Sequence, residues 1–315
     1  MDKMEQEIRE KIFKLKKEKD VIILAHNYQL PEIQDLADFV GDSLGLSQRA
    51  RDVKEKIILF CGVHFMAETA SILCPDKKVL IPDLEAGCSL SDSLSATQLR
   101  EWKKRYPNAV VVTYVNTSAE VKAESDYCVT SSNAVKVVNS IPEDKLILFG
   151  PDMFLGSYVA RVTGRKNIRL WVGECHIHAA VKPEDIQKAR ESHPNAKFLI
   201  HPECGCVTSC MIDAHDKGED GSIILSTEGM VREVENTKDK DYVIATEKGI
   251  LHRLKKISPQ SEFHLVSDEL ECKYMKMITL EKVLYSLENE VFEVKVPKEI
   301  RDKAILPIKR MVEIG

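Results

Sequence analysis

A threefold internal repeat is the feature of this sequence that most constrains its fold. Three short apolar segments, VIILAHNY, VVVTYVN and KFLIHPE, each end in polar residues. Aligned at that end, two sets of residues correspond, namely His26, Tyr114 and His201, and then Tyr28, Asn116 and Glu203. The first and second segments are separated by almost the same number of residues as the second and third. A repeat of this kind indicates that one structural unit occurs three times.

Each unit also contains a serine and closes on a cysteine. The serines are Ser43, Ser131 and Ser226, and the third unit has extra residues before its serine, in the segment 204–221. The cysteines, each of which follows a further apolar segment, are Cys88, Cys175 and Cys272. Three equivalent loops that carry three equivalent cysteines predict one shared site on a pseudo-threefold axis.

The order of the elements predicts the fold class. Short segments rich in Val, Ile and Leu alternate with helical patterns such as PEIQDLADFV and TLEKVLYSLENE. This alternation is typical of parallel sheets with right-handed crossovers, and nearly continuous apolar strands are typical of sheets covered on both faces. We therefore predict an α/β fold with three pseudo-symmetric three-layer α/β/α sandwich lobes, whose parallel sheets form a triangle around a central site. The predicted lobes are residues 1–87 with 273–315, residues 88–174 and residues 175–272, and the chain is expected to end in a short helix.

Composition narrows the choice of partners. The net charge is −5 and aromatic residues make up 6% of the chain, so no nucleic-acid partner is expected. No apolar segment approaches the length of a membrane span, and the charged N-terminus, with Ile8, Ile12 and Leu15 at helical spacing, indicates an amphipathic helix rather than a signal peptide. Nine cysteines without a secretory signal favour a cytoplasmic protein whose thiols bind metal or take part in chemistry.

The three equivalent cysteines favour an iron–sulfur cluster. Three thiolates can bind three irons of a 4Fe–4S cluster and leave the fourth iron open as a Lewis acid. Structural zinc needs four protein ligands, whereas a catalytic zinc with three cysteines and a water stays an alternative. Buried structural cysteines are another alternative. Cys204, Cys206 and Cys210 form a competing cluster, although Cys206 and Cys210 lie in the inserted segment of the third unit.

Polar residues follow the predicted strands at the edge where parallel sheets carry their sites. Histidine, tyrosine and glutamate there can transfer protons, and hydroxyls at turns that begin helices can bind phosphate or carboxylate groups. The serines can instead be ordinary helix N-caps. His178, three residues after Cys175, belongs to the same candidate group.

Several motifs together resemble the quinolinate synthase family of bacterial and archaeal NAD biosynthesis, over nearly the whole chain. They are AHNYQ (25–29), GDSLGLS (41–47), FCGVHFMAETA (60–70), PDLEAGCSLSD (82–92), TYVNTSAEVKAESD (113–126), TSSNA (130–134), CHIH (175–178), HPEC (201–204) and MKMITLEKVLYSLE (275–288). The resemblance implies three lobes with one cysteine each and one 4Fe–4S cluster per chain.

The resemblance also implies a transferase that condenses iminoaspartate with dihydroxyacetone phosphate into quinolinate, with loss of phosphate and two waters. The implied cluster ligands are Cys88, Cys175 and Cys272. The implied catalytic residues are Tyr28, Tyr114, His178 and Glu203. The implied substrate-binding residues are His26, Ser43, Asn116, Ser131, His201, Ser226 and Thr227. A transient contact with the enzyme that supplies iminoaspartate is a further expectation.

Two alternatives come from other functional classes. One is a radical iron–sulfur enzyme like those of diphthamide synthesis, which also hold a cluster with one cysteine per lobe. The other is a non-enzymatic redox or iron sensor that contains a labile cluster.

Overall fold

The computed structural model describes residues 3–217, 221–237 and 241–315. Within these residues, twelve strands form three sheets. They are β1 (Val21–His26), β2 (Phe39–Gly41), β3 (Ile57–Cys61), β4 (Lys78–Leu80), β5 (Val110–Tyr114), β6 (Tyr127–Val129), β7 (Ile147–Gly150), β8 (Ile168–Leu170), β9 (Lys197–Ile200), β10 (Ser222–Ile224), β11 (Asp241–Ala245) and β12 (Glu262–Leu265).

Helices connect the strands. They are α1 (Lys3–Glu18), α2 (Pro31–Leu36), α3 (Ser43–Arg51), α4 (His64–Leu73), α5 (Ser89–Asp92), α6 (Ala96–Arg105), α7 (Ala119–Lys122), α8 (Ala134–Ser140), α9 (Met153–Thr163), α10 (His176–Ala179), α11 (Pro183–Ser192), α12 (Val207–Lys217), α13 (Thr227–Asn236), α14 (Ile250–Ile257), α15 (Leu280–Asn289) and α16 (Lys298–Ile314). A 3₁₀ helix, Met275–Met277, precedes α15.

The three sheets have the same topology. Their strand orders are β2-β1-β3-β4, β6-β5-β7-β8 and β10-β9-β11-β12, and every pairing between these strands is parallel. Each sheet with its flanking helices is called a lobe below, numbered in chain order. The predicted α/β class with three parallel-sheet lobes is confirmed.

The central strands of each sheet are apolar because helices cover both faces. Every residue of β1 and β3 is buried. Paired strands such as β1 and β3 run in register from Val21 opposite Ile57 to Ala25 opposite Cys61. Because the strands are parallel, their carboxyl ends lie at one edge of each sheet, and the polar residues that follow them meet there.

The terminal segments differ in part from expectation. The predicted amphipathic N-terminal helix is confirmed as α1, which packs against α15 with Ile12 fully buried. The final helix, α16, is long rather than short, with 17 residues, because Ala304, Ile308 and Met311 keep a buried stripe through Pro307. It packs against α4 as well as β6 and α7 of lobe two. The lobe boundaries stay a prediction.

Two other expectations concern single segments. The helical pattern PEIQDLADFV ends at Leu36, and its last residues enter edge strand β2. Within the inserted segment, α12 ends at Lys217, and residues 218–220 lie outside the described residues. A search of the described residues finds no helix long and apolar enough to cross a membrane.

Candidate active site

A cavity that is partly open to solvent, with about 700 Å³ of empty space, lies where the carboxyl ends of the three sheets converge. All three lobes contribute residues to its walls. Thirteen of the fourteen residues predicted from the sequence line it, namely His26, Tyr28, Ser43, Cys88, Tyr114, Asn116, Ser131, Cys175, His178, His201, Glu203, Thr227 and Cys272. The remaining predicted residue, Ser226, does not line the cavity.

The three cysteines occupy equivalent backbone positions. The carbonyl of each accepts a hydrogen bond from the amide four residues later: Asp92 N to Cys88 O at 3.1 Å, Ala179 N to Cys175 O at 2.8 Å, and Lys276 N to Cys272 O at 3.2 Å. Each cysteine therefore begins a helical turn that follows the last strand of its lobe. All three thiols are free and half-buried, and they face one cavity.

Each of these sulfurs is close to N–H groups. Backbone amides of Leu90 and Ser91 contact the Cys88 sulfur, and those of Tyr274 and Met275 contact the Cys272 sulfur. His178 Nδ1 lies 3.3 Å from Cys175 Sγ. Burial raises the pKa of Cys88 to about 12, so the thiol is protonated at neutral pH, and a metal bound there would have to displace this proton.

Beside Cys175, Glu203 is the centre of a buried polar group. Tyr114 Oη donates a hydrogen bond to Glu203 Oε1, and His178 Nδ1 lies 3.1 Å from Glu203 Oε2. On its other side, His178 Nε2 is 3.3 Å from Tyr28 Oη and 2.9 Å from Thr246 Oγ1. Carboxylate, imidazole and both phenols thus form one connected set of groups able to hold and transfer protons.

Electrostatics give the members of this group different charges. Burial alone would raise the pKa of Glu203, but the neighbouring His178 and His201, with hydrogen bonds from His178 and Tyr114, lower it to about 2. Burial opposes protonation of His178, yet Cys175 and Glu203 outweigh it and raise its pKa well above 6.5. Burial lowers the pKa values of His26 and His201 to about 3. At neutral pH the group therefore contains a Glu203 carboxylate and a His178 imidazolium, while His26 and His201 are neutral.

Both tyrosines remain neutral phenols. Burial is the main reason that the pKa values of Tyr28 and Tyr114 are raised well above 10, and the Glu203 charge acts in the same direction. A neutral phenol can donate one hydrogen bond and accept others. Tyr114 donates to Glu203, and Tyr28 shares Thr246 with His178.

Three turns that begin helices form another wall of the cavity, and they correct the register of the third repeat. The carbonyls of Asp42, Thr130 and Ser226 accept hydrogen bonds from the amides four residues later, at 2.9, 3.0 and 2.9 Å. The residues that follow them, Ser43, Ser131 and Thr227, are therefore equivalent, and all three line the cavity.

Ser226 has the other role considered for these serines, that of a helix N-cap. Its hydroxyl oxygen accepts from Gly229 N at 3.2 Å at the start of α13. Ser132 Oγ contacts Ser226 Oγ at 2.9 Å and Asp42 Oδ2 at 2.5 Å, so one hydroxyl joins turns from all three lobes. These contacts hold the three turns together behind the cavity wall.

Residues that follow the third strand in lobes two and three adjoin the cavity wall, and the sequence predictions missed them. Thr246 follows β11 and contacts Tyr28 and His178. Glu247 lines the cavity and accepts from the Cys272 amide at 3.1 Å and from Lys276 Nζ at 2.9 Å. Asp152 follows β7, is fully buried and adjoins the Cys175 backbone. The apolar segments of these strands repeat at equivalent positions, so the repeat could have identified these residues.

Two sets of residues could hold a metal. Cys175 Sγ, His178 Nδ1 and a Glu203 oxygen lie within 4.8 Å of one another, close enough for a single ion. The three repeat cysteines, which line the same cavity, form the second set.

The competing cysteines lie elsewhere. Cys204, Cys206 and Cys210 are buried among apolar side chains of lobe three, and Cys204 Sγ donates to Ala245 O at 3.2 Å. None of them lines the cavity.

Comparisons with known proteins agree with these observations. The family model described as quinolinate synthetase A protein matches residues 10–313. The chain is 52% identical to quinolinate synthase of Thermus thermophilus over 98% of its own length and 97% of that protein. It is 51% identical to quinolinate synthase of Pyrobaculum aerophilum over 98% of its own length and 100% of that protein. The corresponding protein of a Mycobacterium species is 52% identical, over 96% of this chain and 90% of the relative.

Proposed function

The chain belongs to the quinolinate synthetase A protein family, and on that premise we propose that it condenses iminoaspartate with dihydroxyacetone phosphate. The products are quinolinate, one phosphate and two waters. One observation carries the proposal: a single cavity contains three equivalent cysteines together with a buried group of carboxylate, imidazole and phenol side chains. The comparisons do not favour the radical enzyme or the sensor. Free thiols throughout the chain fit a cytoplasmic enzyme.

Both proposed substrates are anions, and the cavity offers donors for them. Ser43, Ser131 and Thr227 stand at turns that begin helices, where free amides and hydroxyls favour phosphate or carboxylate groups. Asn116 Oδ1 is buried and has no partner among the described residues. A substrate N–H or O–H group would satisfy it, which supports a role for Asn116 in orientation. Binding both anions in one cavity lowers the entropic part of the barrier.

The proton transfers are assigned to the group around Glu203. The Glu203 carboxylate is the proposed general base, because it is ionised at neutral pH and contacts both His178 and Tyr114. The His178 imidazolium is a proton donor, and Tyr28 lies beside its Nε2. Neutral His26 and His201 accept or donate hydrogen bonds without adding charge.

A 4Fe–4S cluster is the proposed cofactor, with Cys88, Cys175 and Cys272 as its ligands. The N–H groups around the three sulfurs support this, since such groups stabilise cluster thiolates. When bound, the cluster supplies a Lewis-acidic iron that assists loss of a hydroxyl group.

Metal content distinguishes the two possible ligand sets. After anaerobic reconstitution the chain should contain about four irons and matching sulfide. Cys88→Ser and Cys272→Ser should lose that iron, whereas Cys74→Ser should keep it, because the Cys74 thiol donates to Ala50 O outside the cavity and serine preserves a donor. Full metal content in Cys88→Ser and Cys272→Ser would favour a single ion at Cys175, His178 and Glu203.

The activity is tested separately. The reconstituted chain is mixed anaerobically with dihydroxyacetone phosphate and with iminoaspartate formed in place from oxaloacetate and ammonia. We expect quinolinate and phosphate in equal amounts, measured by mass spectrometry and a phosphate assay. Cluster-loaded protein that forms neither product would refute the proposed function.

A further inference from the structure

A continuous chain of hydrogen bonds runs from Arg253 to the cavity wall. Arg253 Nη1, on α14 of lobe three, donates to Asn27 Oδ1 at 2.8 Å. Asn27 follows β1 of lobe one and is fully buried. Its Nδ2 donates to Thr227 Oγ1 at 2.9 Å, and Thr227 lines the cavity. A residue outside the cavity is thus connected through one buried amide to a residue in its wall.

The chemistry of arginine determines which way the Asn27 amide points. A guanidinium has only donors, so it must face the amide oxygen. Glu228 holds that guanidinium with both carboxylate oxygens, at 2.8 and 3.1 Å, which prevents Arg253 from turning away. The amide NH₂ group is therefore directed at Thr227, and the Thr227 oxygen must accept.

This contact determines whether the Thr227 hydroxyl donates or accepts a hydrogen bond on the side of the cavity. A hydroxyl has one hydrogen and two lone pairs. Because one lone pair is occupied by Asn27, the hydrogen is free to donate toward the cavity. Thr227 is almost completely buried, so this donor gains most from an anionic acceptor that enters without its water.

The three-lobed fold itself does not require this arrangement. The residues equivalent to Asn27 at the ends of β5 and β9 are Val115 and Pro202, which have no side-chain amide. Among the described residues, no protein donor contacts the hydroxyls of Ser43 and Ser131, the positions equivalent to Thr227. The buried amide is thus specific to the junction of lobes one and three.

We propose that Asn27 and Arg253 are positioning residues that make Thr227 a hydrogen-bond donor to an anionic group of the ligand. Carboxylate and phosphate share the required chemistry, and the inference rests on the proposed function for the identity of the ligands. Asn27 acts through Thr227 and does not itself touch the ligand.

The test uses Asn27→Asp in the full-length, cluster-loaded protein. Aspartate keeps the shape and the bond from Arg253 but replaces the donor by an acceptor, so Thr227 must turn its hydrogen away from the cavity. Affinities for quinolinate and for inorganic phosphate are measured by calorimetry. We expect the affinity for at least one of them to fall roughly ten- to a hundredfold, the value of a hydrogen bond to a charged group. A lower affinity for quinolinate alone would show that Thr227 donates to a carboxylate group, and a lower affinity for phosphate would show that it donates to a phosphate group.

A double-mutant cycle separates positioning from a general structural effect. Thr227→Val removes the hydroxyl, so Asn27→Asp should cause little additional loss in that background. Arg253→Gln should cause a smaller loss in the same direction, because the amide is then free to turn. Thr163→Val on α9, whose hydroxyl donates to Val159 O away from the cavity, is the matched control and should bind both anions normally.

The possible failures are distinguishable. Unchanged affinity for both anions in Asn27→Asp would overturn the inference, and so would an equal loss with and without the Thr227 hydroxyl. Thermal unfolding of each variant shows whether a loss of affinity is caused by misfolding. A wild-type protein that binds neither quinolinate nor phosphate would instead count against the proposed function.

Discussion

Replacing Glu203 by glutamine tests whether its carboxylate moves protons or only shapes the cavity. The native carboxylate accepts from Tyr114 on one oxygen and pairs with His178 on the other, at 3.1 Å. Glutamine has the same size but only one acceptor oxygen. If that oxygen faces Tyr114, the NH₂ group meets protonated His178 Nδ1, and if it faces His178, the NH₂ group meets the phenol hydrogen. Either orientation loses one charge-assisted hydrogen bond.

The expected effects differ for turnover, binding and folding. Loss of a positioned base should lower kcat by about 10²–10⁴-fold. One lost bond to a charged group lowers the free energy of unfolding by about 1.5–3 kcal/mol. Quinolinate affinity should change much less than kcat, because Ser43, Ser131 and Thr227 remain at the three turns.

The assay measures quinolinate formation at saturating substrates, with iron content and calorimetric quinolinate binding determined on the same samples. Glu233→Gln is the matched control, because Glu233 pairs with Lys197 at the opposite end of β9. Wild-type kcat in Glu203→Gln at full iron content would show that Glu203 is not the base. A parallel loss of binding and kcat would assign it to substrate binding instead.

Three further predictions concern stability and the cofactor. Burial opposes ionisation of Asp35, but His252 and Lys256 lower its pKa below 3.8. The ionised carboxylate therefore stabilises the folded state above about pH 4, and this stabilisation is lost as the pH falls through the lowered pKa. Urea midpoints should drop more steeply between about pH 5 and 3 in the native chain than in Asp35→Asn. Asn133→Ala removes bonds to Met311 O and Thr130 N, both 2.8 Å, and should lower the unfolding free energy by about 1–3 kcal/mol in chemical denaturation; an unchanged value would contradict this. Iron chelation should abolish visible absorption and quinolinate formation together, and activity without iron would exclude the cluster from the reaction.

Much of the architecture could be predicted because the same pattern, a buried apolar strand followed by polar residues, occurs three times in the sequence. Apolar strands buried on both faces and polar residues after them are recognisable from residue type alone, as in β1 with His26 and Tyr28. The match between Cys88, Cys175 and Cys272 likewise came from position in the repeat, and their backbones are equivalent. Their roles, like those of the other site residues, stay predictions.

What could not be predicted depends on local geometry or on contacts between distant segments. Residue type matches Ser226 to Ser43 and Ser131, whereas the hydrogen bonds to the backbone carbonyls make Thr227 the equivalent of Ser43. Strand β2 has three residues and gains its order from pairing with β1, which leaves little pattern in its own sequence. Thr246 belongs to the site only because it contacts Tyr28 and His178, which are remote from it in the sequence.

At the cavity, some equivalent positions of the three lobes carry the same kind of side chain and others do not. The positions Cys88, Cys175 and Cys272 are identical, and Ser43, Ser131 and Thr227 all retain a hydroxyl, whereas Tyr28, Asn116 and Glu203 have diverged completely. A trimer of one small ancestral unit would present three copies of every group and could not tell two different reactants apart. Within a single polypeptide each of the three units can carry different side chains, so the two sides of the cavity can differ in chemistry.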